Sequence, residues 1–313
     1  MITCIGNITL DIIVKPVESL PKPGLCNQVE SVKMEVGGCA ANAALDLAKL
    51  GYGVGLAGGV GGDQFGPVVL GRLSGNGVGI ENVRTFAGSE TGTSVVCVHS
   101  NGERNFLYNP GANLAFSDKD ILPDVLSQSD IVFFGGMLLM KSLDGEPCAK
   151  ILRESKALHK ITVLDTVWDF TGRWMSTLKP CIPFIDYFIP SYDEAKELAG
   201  ENDPSAIADV FLKMGARHVV IKLGKKGCYY KTLGMGGTYY ATYSGVKPVD
   251  TIGAGDAFCS GFLGALSEGQ SVEDCIRFAN AVGTFCISKA GASAGIEPKE
   301  KVKEFIRKNR IPE

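Results

Sequence analysis

Histidine and tryptophan are scarce in this chain, with three and two copies in 313 residues. His99, His159 and His218 lie far apart, and the ten cysteines include no C-x-x-C pair. A structural zinc site of the usual spacing is therefore not expected. No apolar run approaches membrane-spanning length, so no membrane partner is expected. The opening stretch Met1 to Gly6 is too short and uncharged for a secretory signal. With scattered, unpaired cysteines, the expected setting is the reducing cytoplasm. Asn7-Ile8-Thr9 then means nothing as a glycosylation sequon. The net charge is −3 and no basic patch stands out, which gives nucleic-acid binding no electrostatic support. There is no G-x-x-x-x-G-K-[ST] loop. Gly53-Val54-Gly55-Leu56-Ala57-Gly58 fits G-x-G-x-x-G, but its glycines run through an apolar strand pattern and open no helix. That context disfavours a dinucleotide loop, and with it a nicotinamide-dependent dehydrogenase.

What is present suits a large globular fold. Hydrophobic residues make up 45% of the chain and charged residues 21%, enough for a sizeable core. Ile2–Gly6 reads as a buried strand, Ala40–Leu50 as a helix ended by Gly51, and Val54–Val60 as a strand. Thr93–Val98 and Arg104–Tyr108 read as a hairpin around Asn101-Gly102. After Pro110, short apolar strands at 131–135, 162–165, 187–189 and 218–223 alternate with helical segments. Helices close the chain at 254–267, 272–288 and 299–308. Alternation of this kind implies a mostly parallel sheet with helices on both faces. Extended segments near 12–36 and 92–109 interrupt it and can form a small separate sheet. Val29, Val32, Val95, Cys97, Phe106 and Tyr108 recur there at near-alternate positions, so one face of that sheet needs a cover.

The most informative stretch is Asp250-Thr251-Ile252-Gly253-Ala254-Gly255-Asp256-Ala257-Phe258. Phe258, Phe262, Leu263 and Leu266 follow at helical spacing, so a helix starts near Ala254. Gly253 and Gly255 admit a ligand close to the backbone. Unpaired N–H groups at a helix start make a socket for an anion. Asp256 at the rim reads either as a base for an attacking hydroxyl or as an ordinary N-terminal helix charge. Asp11, just past the first strand, can accept hydrogen bonds from neighbouring sugar hydroxyls, or can simply end a turn. Asn42 alone reads as a polar residue near a helix start. Ser191 and Glu194 form a capping box, and Glu194 can also act through the water shell of Mg²⁺. Arg104 reads equally as an exposed strand residue or as a lid group reaching a polar substrate. The lysines of Lys222-Leu223-Gly224-Lys225-Lys226-Gly227 can neutralise phosphate or merely be solvated.

The Asp250–Phe258 stretch resembles the signature of the ribokinase-like (PfkB) carbohydrate kinases. Gly37-Gly38-Cys39-Ala40-Ala41-Asn42 with Leu47, Leu50 and Gly51 resembles that family's second signature, and Gly58 to Gly66 its strand-to-helix turn. The motifs follow in family order across residues 3 to 296. The resemblance implies one α/β domain over residues 1–313, with a Rossmann-type core and a small β-sheet lid at about 12–36 and 92–109. It implies transfer of the γ-phosphate of ATP to a hydroxyl of a sugar or sugar-like substrate, with Mg²⁺. Asp256 would be the base, and Gly253, Ala254 and Gly255 the anion hole. Asp11, Gly38, Asn42 and Arg104 would bind the acceptor. Ser191, Lys222, Gly224, Gly227 and Asn280 would serve the nucleotide, and Glu194 the magnesium through water. Asp250 and the loop from Lys289 to Gly295 resemble a potassium site, and the lid implies a homodimer. Ribokinases carry lysine where this chain has Cys39 and an acidic residue near Met137, which argues against ribose. Fructose, a keto-deoxy sugar acid and nucleosides stay open. Asp165-Thr166-Val167-Trp168 falls where sugar-acid and fructose kinases have a substrate-adjacent segment, without reproducing its pattern. A catalytically silent sugar-binding regulator would lack the base or the glycines, and both are present.

Overall fold

In the computed structural model, which describes residues 1–122 and 124–309, the first strand, β1 (Ile2–Gly6), is buried along its whole length. Its run of small and apolar residues can face helices on both sides, as a parallel strand must. β2 (Thr9–Lys15) and β3 (Ser31–Gly37) follow, then α1 (Cys39–Leu50), β4 (Val54–Gly61), α2 (Phe65–Gly75) and β5 (Gly79–Phe86). β6 (Thr93–Val98) and β7 (Arg104–Asn109) pair as the expected antiparallel hairpin. Next come α3 (Asp124–Gln128), β8 (Ile131–Met137), α4 (Glu146–Ala157), β9 (Ile161–Thr166), α5 (Met175–Leu178) and β10 (Tyr187–Phe188). The chain continues with α6 (Tyr192–Ala199), α7 (Pro204–Lys213), β11 (His218–Lys222), β12 (Cys228–Thr232) and β13 (Thr238–Tyr240). It closes with α8 (Ala254–Ser267), α9 (Val272–Cys286) and α10 (Lys299–Lys308).

The main sheet has the order β13-β12-β11-β10-β9-β8-β1-β4-β5. From β5 to β11 every neighbouring pair is parallel, and only the β11–β12 and β12–β13 pairs are antiparallel. Apolar clusters fill both faces. One gathers Leu47, Phe258, Phe262 and Val282 from α1, α8 and α9. The other gathers Leu152, Phe188, Phe211 and Ile221 beneath α4 and α7. Among the described residues no helix is long and apolar enough to cross a membrane. β5 escapes a reading by alternation. It is a half-exposed edge strand whose Glu81, Asn82 and Arg84 break the apolar pattern.

A second sheet has the order β3-β2-β6-β7. Its register places Val14 beside Val32 and Cys97, and Ile12 beside Met34 and Val95, with Leu107 next in that row. Asp11, Ser94 and Tyr108 share the other face, with Ile13, Val96 and Phe106 one pleat on. Phe106 and Tyr108 therefore do not belong with Val32 and Val95, as the near-alternate spacing suggests. The hairpin register, which sequence spacing within one strand cannot fix, decides this. Asp11 is also displaced from its expected place. It is the third residue of β2 in the small sheet, because the chain resumes extended structure at once after β1.

Candidate active site

The C-terminal end of β1 turns through Asn7 into β2, and the start of α1 lies against that turn. Gly38 caps α1 with φ of 92°, and a side chain there would meet the Asn7 carbonyl oxygen at 2.5 Å. The Asn7 Oδ1 accepts the Cys39 N–H at 2.9 Å, which fixes where α1 begins. Four residues in, Asn42 reaches across to α8, and its Nδ2 donates to Asp256 Oδ2 at 2.8 Å. The signature glycine and asparagine of one motif thus position the aspartate of the other.

Asp256 is the third residue of α8. Gly253 precedes it in the left-handed region, with φ of 75°, and packs against Ala292, whose carbonyl a Cβ would meet at 2.6 Å. Only glycine suits both demands. Burial pushes the Asp256 carboxyl up to about 6, against the pull of Asn42 and Lys222. A group so placed is ionised at neutral pH and still basic enough to take a proton. The first-turn N–H groups beside it carry the positive end of the helix dipole. Ala254 N also donates to the Thr251 carbonyl at 3.3 Å.

Asp11 faces the same region. Its Oδ1 accepts the Thr9 hydroxyl at 2.8 Å, and burial raises its carboxyl to about 6. A side chain on Gly37 would strike the Asp11 carboxylate. Asn113 secures the turn before β2, accepting Ile8 N–H and donating to the Ile8 carbonyl, each at 2.9 Å. Three buried polar atoms here have no hydrogen-bond partner: Asn42 Oδ1, Tyr108 Oη and Arg104 Nε. Unsatisfied buried groups are costly, and a polyhydroxy ligand would satisfy them.

Arg104 and Asp250 meet. The guanidinium pairs with the Asp250 carboxylate and lies 3.4 Å from Thr251 Oγ1. Asp250 also accepts Ile252 N–H and Gly291 N–H, each at 2.9 Å. It ties the small sheet, the turn before α8 and the 289–295 loop together.

Behind the start of α8 lies a further charged group. Lys222, the last residue of β11, points inward and binds Asp165 Oδ2 at 2.5 Å. Its Nζ stands 3.4 Å from where a Cβ of Gly255 would be. Burial opposes the ammonium charge, but Asp165, Cys259 and Glu194 outweigh it and hold Lys222 charged. The Ser191–Glu194 capping box is present, and Glu194 Oε2 also accepts the Thr166 hydroxyl at 3.2 Å. Burial and Asp165 raise the Glu194 carboxyl. Gly224 and Gly227 turn the chain after β11 with φ of 58° and 88°. Asn280 is buried in α9, and its amide donates to the Ala241 carbonyl at 3.2 Å. Among the described residues no three His, Cys, Asp or Glu side chains converge to hold a metal directly.

No sequence motif marks Asn7, Thr9, Tyr108 and Asn113 as site residues. Asn7 and Thr9 were legible only as a sequon, and Asn113 acts through the backbone of Ile8, 105 positions away. Asp165 had a usable signal, since ligand sites of parallel sheets gather at strand carboxyl ends.

Residues 1–300 match the sequence model of the pfkB family carbohydrate kinases. The chain is similar to 2-dehydro-3-deoxygluconokinase of Bacillus subtilis (strain 168), with 27% identity over 92% of this chain and 91% of that protein. It is also similar to the structure of Arabidopsis thaliana ribokinase complexed with ribose and ATP. That match has TM-score 0.85 and 27% identity, over 98% of each chain. A putative ribokinase II from E. coli, in complex with ATP and Mg²⁺, shares the fold at TM-score 0.84 and 22% identity, over 98% of this chain and 99% of that one.

Proposed function

The chain belongs to the pfkB family of carbohydrate kinases, and we propose that it transfers the γ-phosphate of ATP to a hydroxyl of a sugar or sugar acid, with Asp256 as the base. The observation that carries this is the Asn42–Asp256 contact at the start of α8, beside buried polar atoms that lack partners. Asp11, Asn42 and Tyr108 hold the acceptor and aim one hydroxyl at Asp256. Asp256 takes that proton as the oxygen attacks phosphorus, and the first-turn amides of Gly253, Ala254 and Gly255 meet the charge that develops. Lys222 adds a positive charge behind them. Ser191, Gly224, Gly227 and Asn280 line the nucleotide side. Asp165, Glu194 and Asp256 outnumber Lys222, and that surplus of buried negative charge suits a hydrated divalent cation. Mg²⁺ held through water by Glu194 would neutralise phosphate oxygens.

The ion pair of Arg104 makes the small sheet a lid over this site. Its outer face leaves Val32, Met34 and Leu107 exposed at 60%, 43% and 56%, and we assign a second copy of the chain to cover it. The whole of 1–313 then acts as one domain with its lid, although residues 310–313 lie outside those described. A cytoplasmic setting fits ten free cysteines. Potassium is part of the same proposal. The Ile252 and Ala292 carbonyls converge at the Cys286 thiol, at 3.4 and 3.1 Å, next to the loop that Asp250 holds. Rates should be higher in potassium than in a large organic cation, and equal rates would overturn the cation site.

The test of the main proposal is a phosphorylation screen over sugars, sugar acids and nucleosides with ATP. We expect turnover with a sugar or sugar acid. Turnover confined to nucleosides would replace the acceptor assignment, and ATP binding with no turnover on any acceptor would mark a silent regulator.

A further inference from the structure

The edge of the main sheet opposite the candidate active site carries a second cavity. β9, β10 and β11 begin there, and Thr166 and Lys222 lie at their other ends. Its volume is about 720 Å³, within the range of small-molecule sites. Lys156, Lys160 and Arg217 line it together with His159, His218 and a single acidic residue, Asp186. Asp186 is buried and already satisfied. Lys156 Nζ lies 2.7 Å from each carboxylate oxygen, Thr162 N donates at 2.9 Å and Arg217 Nη1 at 3.2 Å. One carboxylate thus holds two cationic heads in place without cancelling them, and the cavity stays positive. The Arg217 side chain stays 70% exposed while its Nη1 holds Asp186. The His218 ring stacks on Tyr187 at 4.5 Å between centroids, and its Nδ1 is 2.9 Å from the Tyr230 hydroxyl. That ring cannot swing freely. Ile161, Phe184 and Ile185 give the wall an apolar part.

We propose that this cavity binds a small phosphate ester. A dianion matches the surplus positive charge, an arginine fork suits phosphate oxygens, and the apolar wall takes the carbon skeleton. The kinase site proposed above lies at the other end of the strands, so this ligand would not compete with its substrates. The inference does not depend on the acceptor assigned above.

The chain has three histidines, two of them in this cavity and the third, His99, beside Glu18. Imidazole NMR signals therefore report the site directly. Titration of the full chain with inorganic phosphate should move His159 and His218 saturably and leave His99 in place. Chloride at matched ionic strength should not reproduce the shifts. In a K160E/R217E variant, affinity should fall by at least roughly tenfold, as expected when charge-assisted hydrogen bonds are removed. The variant's turnover without added phosphate should be unchanged, which confirms its fold. Unsaturable shifts, equal shifts with chloride, equal movement of His99, or unaltered affinity in the variant would each overturn the proposal.

Discussion

Asp11 and Asp256 come from different sheets and different motifs, yet burial raises both carboxyls to about 6. In the proposed function each must be ionised to work, Asp11 to accept sugar hydroxyls and Asp256 to accept a proton. On this reading kcat/KM should fall as pH drops through about 6, with a slope steeper than one proton. An acid limb centred near 4, the ordinary carboxylate range, would remove Asp256 from the base role. Loss of stability at these two groups does not explain such a limb. A carboxyl whose folded pKa is raised stabilises the fold fully below its unfolded value of about 3.9 and loses that contribution as pH rises toward the folded value. Stability from these two groups therefore grows as activity falls. Asp256→Asn keeps the shape and the Asn42 contact distance but cannot take a proton. It should lower kcat by about 10²–10⁴-fold with ATP binding nearly intact by calorimetry. A loss below roughly tenfold, well short of that range, would sink the assignment.

At the scale of elements, α8 is fixed at its start and at its middle. Its start presents Asp256, and its middle lies against α9 at Gly261, where a Cβ would come within 2.7 Å of Ala279 Cα and 3.0 Å of Val282 Cβ. Gly261→Ala should push the helices apart and lower stability by about 1–3 kcal/mol, the usual cost of overpacking. An unchanged urea midpoint would contradict the close crossing. Much of α8 was legible in advance, because glycines, aspartate and an apolar helical stripe lie in one continuous stretch. The same holds for the start of α1 and the β6–β7 hairpin. What stayed hidden joins distant positions. Asn42 and Asp256 are 214 residues apart, Arg104 and Asp250 146, and Lys222 and Asp165 57. Periodicity says which face of an element is apolar, but not which neighbour that face meets. Phe106 and Tyr108 show the limit, since their two-residue spacing was visible and the side of the sheet they occupy was not.

For the whole molecule, the proposed function gives the small sheet two duties on two faces. The inner face brings Asp11, Tyr108 and Arg104 to the site, and the outer face exposes Val32, Met34 and Leu107. An apolar face of this kind calls for a partner. Val32→Glu should convert a dimer to a monomer in sedimentation and raise KM for the acceptor, because the lid would be less firmly seated. A native protein that sediments as a monomer at every accessible concentration would refute the dimer and leave the kinase chemistry standing. Asp250 carries a different kind of burden. One carboxylate answers to Arg104, to Ile252 and to Gly291 at once, so a change there should disturb the small sheet, the turn before α8 and the neighbouring loop together. Replacing either member of the Arg104–Asp250 pair alone would strand the other's charge in a largely buried place, so the two positions tolerate change only together.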